Sequence, residues 1–231
     1  MTNRTQVIRP SSARAPQASW HPWVSALTVA VGALMGGWAV GWVAVHVAHD
    51  EHPKWLLARV SGLAGMFLLT ALVVLGLLLA HPRGTALRSL PRATMLRLHV
   101  GLASFAFAFI TLHVLVLALD DYAGVGWSGV LLPLGAEYRP LPVTLGWLGL
   151  YAGLLAGLTA RFAGTVGRLW WPIHRTTLVV YAAVWTHSVL AGTDSAALWF
   201  WYGGSALLVV ATAVSRVMTP RVRSALGEDR P

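Results

Sequence analysis

The 231-residue sequence contains no cysteine and few charged residues. The lack of cysteine excludes disulfide bonds, thiolate metal sites, iron–sulfur clusters and covalently attached c-type haem. Charged residues make up 11% of the chain, whereas a soluble domain carries about a quarter. Hydrophobic residues reach 56%. This composition excludes a secreted enzyme, a disordered chain and an ordinary cytosolic domain, and it indicates a single membrane bundle.

Six apolar segments are long enough to cross a bilayer, which takes about 20 helical residues. We therefore predict an all-α integral membrane protein with a bundle of six transmembrane helices over residues 23–218. The predicted spans are Val24–Val47, Trp55–Ala80, Met95–Leu119, Leu141–Ala163, Trp171–Ala191 and Ala196–Met218. Residues 1–22 are predicted to be a disordered cytoplasmic tail, and residues 219–231 a second cytoplasmic tail.

The charges between the spans set the orientation. One side would hold fourteen arginines and only two acidic residues, whereas the other would hold three basic and six acidic residues. This asymmetry places both termini in the cytoplasm. Topology and attraction to anionic membrane lipid account for the basic charge, so we expect no nucleic-acid partner.

Ionisable residues within membrane spans are costly and indicate function. His99 and His113 are fourteen residues apart in the third span, or about 21 Å along a helix. His174 and His187 are thirteen apart in the fifth span, or about 20 Å. Since the two spans run in the same direction, His174 matches His99 in depth and His187 matches His113. Two facing imidazoles at each of two depths predict two b-type haems, each held between the third and fifth helices.

Ideal helix geometry leaves one difficulty, because thirteen residues rotate His187 about 140° away from His174. Either the fifth helix begins irregularly near Pro172, or the two haems approach it from different sides. The third span offers small residues and phenylalanines around a flat macrocycle, namely Phe105, Phe107 and Phe109. Four arginines are candidates for the haem propionates: Arg97 and Arg175 at the inner pair, and Arg59 and Arg139 at the outer pair. Snorkelling to lipid headgroups is their alternative role.

Other features favour structural roles. Glycines at helical spacing, such as Gly146, Gly149, Gly153 and Gly157, indicate close helix packing. Trp185 beside His187 favours packing over haem contact. The outer cluster of His46, His49 and His52 favours a solvated helix end over a metal site.

The paired histidine spacing resembles the ferric reductase-like transmembrane domain. That superfamily includes ferric reductases, NADPH oxidases and the haem-bearing membrane subunit of the bacterial methionine sulfoxide reductase system. The segments Leu131–Pro140 and His187–Asp194 also look like short bacterial members. The resemblance implies two b haems passing electrons across the membrane, with His99 and His174 on the inner haem and His113 and His187 on the outer one. Together with the compact chain, it implies a multi-pass protein of a bacterial plasma membrane.

The predicted function is therefore that of a dihaem cytochrome b, the electron-transfer membrane subunit of an oxidoreductase. The donor would be a cytoplasmic flavoprotein or a quinol, and the acceptor would lie at the outer face. No phosphate-binding glycine loop follows a strand, so flavin or nicotinamide would enter only through a partner. One alternative is a quinol-linked cytochrome b anchor of a periplasmic oxidoreductase. A metal-ion transporter is a weaker alternative, because the span interiors contain no carboxylate.

Overall fold

The computed structural model describes residues 51–81 and 91–225, with side chains up to residue 218. These residues form eight α-helices and two short 3-10 helices, and no strand occurs among them. The α-helices are α1 (Pro53–Leu79), α2 (Arg92–Ala118), α3 (Gly126–Leu131), α4 (Pro140–Arg161), α5 (Ala163–Val166), α6 (Trp170–Arg175), α7 (Thr177–Ala191) and α8 (Trp199–Ala225). The 3-10 helices are Asp121–Ala123 and Gly167–Leu169. The predicted first span, Val24–Val47, and the predicted N-terminal tail lie outside the described residues. Residues 219–225 of the predicted C-terminal tail continue α8, and residues 226–231 lie outside the described residues.

Four of the described helices are long and apolar enough to cross a membrane. They are α1, α2, α4 and the Trp199–Met218 part of α8. They correspond to the second, third, fourth and sixth predicted spans. The described part of the chain is therefore all-helical, and the length and apolar character of these helices suit a membrane, as the composition indicates.

The fifth predicted span is divided into two helices at Thr176. The hydroxyl of Thr176 donates to the carbonyl of Ile173 at 2.7 Å, and that of Thr177 donates to the carbonyl of His174 at 2.8 Å. Such local hydrogen bonds compete with the helical ladder. Pro172, inside the short α6, also lacks the backbone N–H that a regular helix uses. The irregular start that was one of two alternatives is therefore present, and it separates the orientation of His174 from that of His187.

Helix contacts within the described residues fall mainly into two groups. Helix α1 packs along α2, and α4 packs along α7 and α6. Helix α1 also touches α7 and α8, and a buried cluster joins them: Met66, Val73, Leu77, Tyr181 and Val209. Helix α2 therefore packs on α1, and α7 packs on α4. A space remains between the sides of α2 and α7 that face each other.

The segment before α4 closes one end of this bundle. The Tyr138 hydroxyl donates to the carbonyl of Ala191 at 2.8 Å, and the Arg139 guanidinium donates to the carbonyl of Leu190 at 2.5 Å. The last carbonyls of a helix have no partner within the helix, and a cation there also complements the helix dipole. The segments Leu131–Pro140 and His187–Asp194 therefore bind each other.

We predict that Gly149→Ala destabilises the contact between α4 and α7. A Cβ atom at Gly149 would overlap Cγ2 of Val184. Overpacking of this kind costs about 1–3 kcal/mol. The melting temperature of the detergent-solubilised protein, followed by circular dichroism, should fall.

The matched control is Gly203→Ala in α8, where a Cβ atom would meet nothing within 4 Å. Alanine is the better helix former, so this variant should melt at the same temperature or higher. Equal melting temperatures for the two variants would contradict the predicted packing.

Candidate functional site

Two pairs of histidines face each other across the space between α2 and the α6–α7 segment. The ring centroids of His99 and His174 are 6.2 Å apart, with an angle of 69° between the ring planes. Those of His113 and His187 are 6.4 Å apart, with an angle of 75°. The four residues predicted as ligands are thus brought together as the two predicted pairs, called here the 99–174 pair and the 113–187 pair.

The spacing within each pair suits one metal atom held between two rings. Two imidazole nitrogens that bind a transition metal from opposite sides, at about 2.0 Å each, place their ring centroids about 6 Å apart. Both separations are close to this value. Two imidazoles stacked face to face would lie closer, whereas the ring planes here meet at 69° and 75°.

Hydrogen bonds orient both rings of the 113–187 pair. The Nδ1–H of His113 donates to the carbonyl of Ala58 at 2.7 Å, and the Nδ1–H of His187 donates to the carbonyl of Pro142 at 2.8 Å. A carbonyl can only accept, so Nδ1 carries the hydrogen and Nε2 keeps its lone pair. This is the usual arrangement of metal-binding histidines, in which the second nitrogen is held by a backbone or carboxylate oxygen.

The rings of the 99–174 pair lack the hydrogen bonds that orient the 113–187 pair. The Nδ1 atoms of both His99 and His174 are buried and have no hydrogen-bond partner among the described residues. The rings of Trp170 and Trp171 lie beside His174, with centroid distances of 5.8 and 6.5 Å. Sequence reasoning assigned these tryptophans only to the membrane interface, because adjacent aromatic residues near a span end suggest nothing more specific.

A mainly apolar cavity surrounds the 113–187 pair. Helices α1, α2, α4 and α7 all contribute to its wall. Gly62, Phe107, Trp147, Asp194 and Tyr202 are among the lining residues. Trp147, which sequence reasoning missed, lines the cavity, and its Nε1–H is buried without a hydrogen-bond partner among the described residues. Phe105 is 63% exposed and therefore does not form the wall expected of it.

The four candidate arginines lie in two different settings. Arg59 lines the cavity and forms a two-oxygen ion pair with Asp194. Arg139 binds the end of α7 through Leu190. Arg97 and Arg175 are exposed near the 99–174 pair and are open to solvent or lipid headgroups. Arg59 and Arg139 thus already have protein partners, which sequence reasoning did not foresee because those partners are distant in the chain.

The remaining histidine features give no second site among residues 51–81 and 91–225. No group of three or more His, Cys, Asp or Glu residues there could hold a metal ion. His52 packs on Tyr122, with ring centroids 3.8 Å apart, whereas His46 and His49 lie outside the described residues. The Trp185 Nε1–H donates to the carbonyl of Tyr202 at 3.1 Å, which ties α7 to α8 and agrees with a packing role.

Comparisons with protein-family models, with curated proteins and with solved structures found no match for this chain.

We predict that cysteines introduced in place of the histidines will cross-link only when both belong to the same pair, 99–174 or 113–187. The chain has no cysteine of its own, so each double variant carries only the introduced thiols. A short bis-maleimide should join the thiols of His113→Cys/His187→Cys and of His99→Cys/His174→Cys. The cross-link would be detected by mass spectrometry of the digested protein.

The mismatched variant His99→Cys/His187→Cys serves as the control, because about 20 Å separates the two depths along the helices. Efficient cross-linking of this mismatched variant, or none in either matched one, would contradict the paired geometry.

Proposed function

We propose that this protein is a six-helix membrane cytochrome that holds two b-type haems and carries electrons across the membrane. The observation that carries the proposal is the arrangement of four histidines as two facing pairs. One such pair occurs readily by packing. Two pairs about 20 Å apart along the same two helical segments match the two halves of a bilayer.

The donor set of each pair also favours haem over a free metal ion. Each pair supplies only two imidazoles, and no third His or acidic residue completes a metal site within the described part of the chain. A porphyrin brings four nitrogens of its own, so two axial histidines are sufficient. When bound, haem supplies one-electron oxidation and reduction.

The protein's residues would then have three tasks. The four imidazoles would bind through Nε2, and the apolar walls would exclude water from the cavity between α2 and α7. The Arg59–Asp194 ion pair would hold the segment after α7 against α1. If each haem were held by two of these histidines, its iron would have no open position, and an acceptor would exchange electrons without binding the iron.

The expected setting follows from the charge pattern. Arg97, Arg161, Arg168 and Arg175 are exposed on the side that the arginine excess assigns to the cytoplasm. This basic surface suits an acidic flavoprotein as the electron donor, with a quinol as the alternative donor. We infer a multi-pass protein of a bacterial plasma membrane with both termini in the cytoplasm and an acceptor at the outer face, similar to the ferric reductase-like family.

We predict two b-type haems per chain in the purified protein, measured by the pyridine haemochrome assay. His113→Ala and His174→Ala should each retain one haem, because each removes a ligand from a different pair. The two single variants should retain different haems, which a redox titration would distinguish by midpoint potential.

His52→Ala is the matched control, since His52 packs on Tyr122 outside both pairs, and it should keep two haems. A wild-type chain that binds no haem after expression with haem supplied would overturn the proposal. If it bound divalent metal instead, metal transport would become the leading function. Haem reduction that is abolished by quinone-site inhibitors would select the quinol as donor.

A further inference from the structure

Glycines lie directly behind the two imidazoles of the 113–187 pair. A Cβ atom on Gly62 would lie 2.8 Å from Nδ1 of His113, and one on Gly146 would lie 2.8 Å from Nδ1 of His187. Real Cβ atoms do not approach other atoms so closely. Each ring therefore occupies the space that a side chain at the glycine would fill.

Each glycine stands four residues after the carbonyl that accepts the hydrogen bond from Nδ1. Gly62 follows Ala58, and Gly146 follows Pro142. In an α-helix the carbonyl of residue i points toward residue i+4 and accepts from its N–H. A second lone pair on that oxygen remains, but a side chain at i+4 stands beside it. Glycine at i+4 opens this lone pair to a group from another helix.

The 99–174 pair shares only part of this arrangement. The Nδ1 atoms of His99 and His174 have no hydrogen-bond partner among the described residues, so no carbonyl holds either ring there. The ring of His99 nevertheless lies against a glycine of α1. A Cβ atom on Gly76 would lie 3.1 Å from Cε1 of His99.

The two glycines of α1 that lie against histidines repeat with the period of those histidines. Gly62 and Gly76 are fourteen residues apart, as are His113 and His99 on α2. Fourteen residues are close to four helical turns, so α1 presents both glycines on nearly the same face.

We propose that α1 and α4 are positioning helices that present two cradles, each a carbonyl with a glycine four positions later, to His113 and His187. Each cradle holds Nδ1–H on the backbone and turns Nε2 toward the space between the helices. The identity of the ligand there rests on the proposed haem function. The orientation and tautomer of the rings rest on the cradles themselves.

The chain contains glycines that lack this feature and therefore serve as controls. Gly149 and Gly153 on α4 face Val184 and Val180 and serve helix packing. Gly203 and Gly204 on α8 have nothing within 4 Å. Gly62, Gly76 and Gly146 differ from these because a histidine ring is the nearest group to each.

The first test compares Gly62→Ala, Gly76→Ala and Gly203→Ala as full-length, purified proteins. Loss of a group that orients a metal ligand costs about 10–100-fold in affinity. We expect Gly62→Ala to lose one of two haems, with the midpoint potential of the remaining haem unchanged. Gly76→Ala needs the ring to move by only a few tenths of an ångström, so it should keep both haems while the potential of the haem on the 99–174 pair shifts. Gly203→Ala should match wild type in both readouts.

Two results would overturn the cradles. One is a Gly62→Ala protein with two haems and unchanged midpoint potentials. The other is a Gly203→Ala protein that loses haem to the same extent as Gly62→Ala, because the effect would then be general destabilisation. A merely structural glycine would not shift the potential of one haem while leaving the other alone.

A second measurement is independent of haem. In full-length protein produced without haem and labelled with ¹⁵N-histidine, nuclear magnetic resonance reports which ring nitrogen carries the hydrogen. His113 and His187, assigned from their glutamine variants, should both carry it on Nδ1. Hydrogen on Nε2 in wild type would overturn the cradles even if haem binds. Hydrogen on Nδ1 in a chain that never binds haem would retain the cradles while the proposed function fails.

Discussion

Two helical segments present imidazoles to each other at two depths, and the course of both segments is tied to this arrangement. On α2, fourteen residues bring His99 and His113 to nearly one face, so a continuous helix is sufficient. The opposite segment separates its histidines by thirteen residues, and an unbroken helix would turn one of them away. The break at Thr176 removes this conflict, because α6 orients His174 and α7 orients His187 independently.

The helices behind the histidines have a second role besides packing. Backbone carbonyls on α1 and α4 accept hydrogen bonds from Nδ1 of His113 and His187, so these two helices determine which ring nitrogen faces the cavity. A membrane interior makes this use of carbonyls efficient, since no water competes for them. The closing segment before α4 and the Arg59–Asp194 ion pair then hold the far end of α7. These polar contacts hold the end of α7 that carries His187, and so they fix the geometry of the 113–187 pair.

Hydropathy was sufficient to predict the four described helices that are long and apolar enough to cross a membrane, and spacing was sufficient to predict the partner of each histidine. Long apolar runs have few alternatives to helices in a membrane, and helical rise converts residue spacing into depth directly. The rotation of each histidine about its helix axis and the partners of the polar side chains were harder to predict. The break at Thr176 depends on two threonine hydroxyls, and the binding of Arg59 to Asp194 joins residues 135 positions apart. Gly146 was recognised only as a packing residue and Gly62 was not singled out, because the relation of each glycine to a histidine involves a carbonyl on another helix.

The division of the fifth span has a consequence for the entropy of ligand binding. His187 stands on a fifteen-residue helix that is bound at its end by Tyr138 and Arg139, so its ring would lose little freedom on binding a ligand. His174 stands on a helix of six residues, and its Nδ1 is not held by a hydrogen bond in the described structure. Ordering that ring around a ligand would therefore cost more conformational entropy. The two pairs present the same kinds of side chain, but the 113–187 pair is oriented in advance, whereas a ligand would have to order the 99–174 pair.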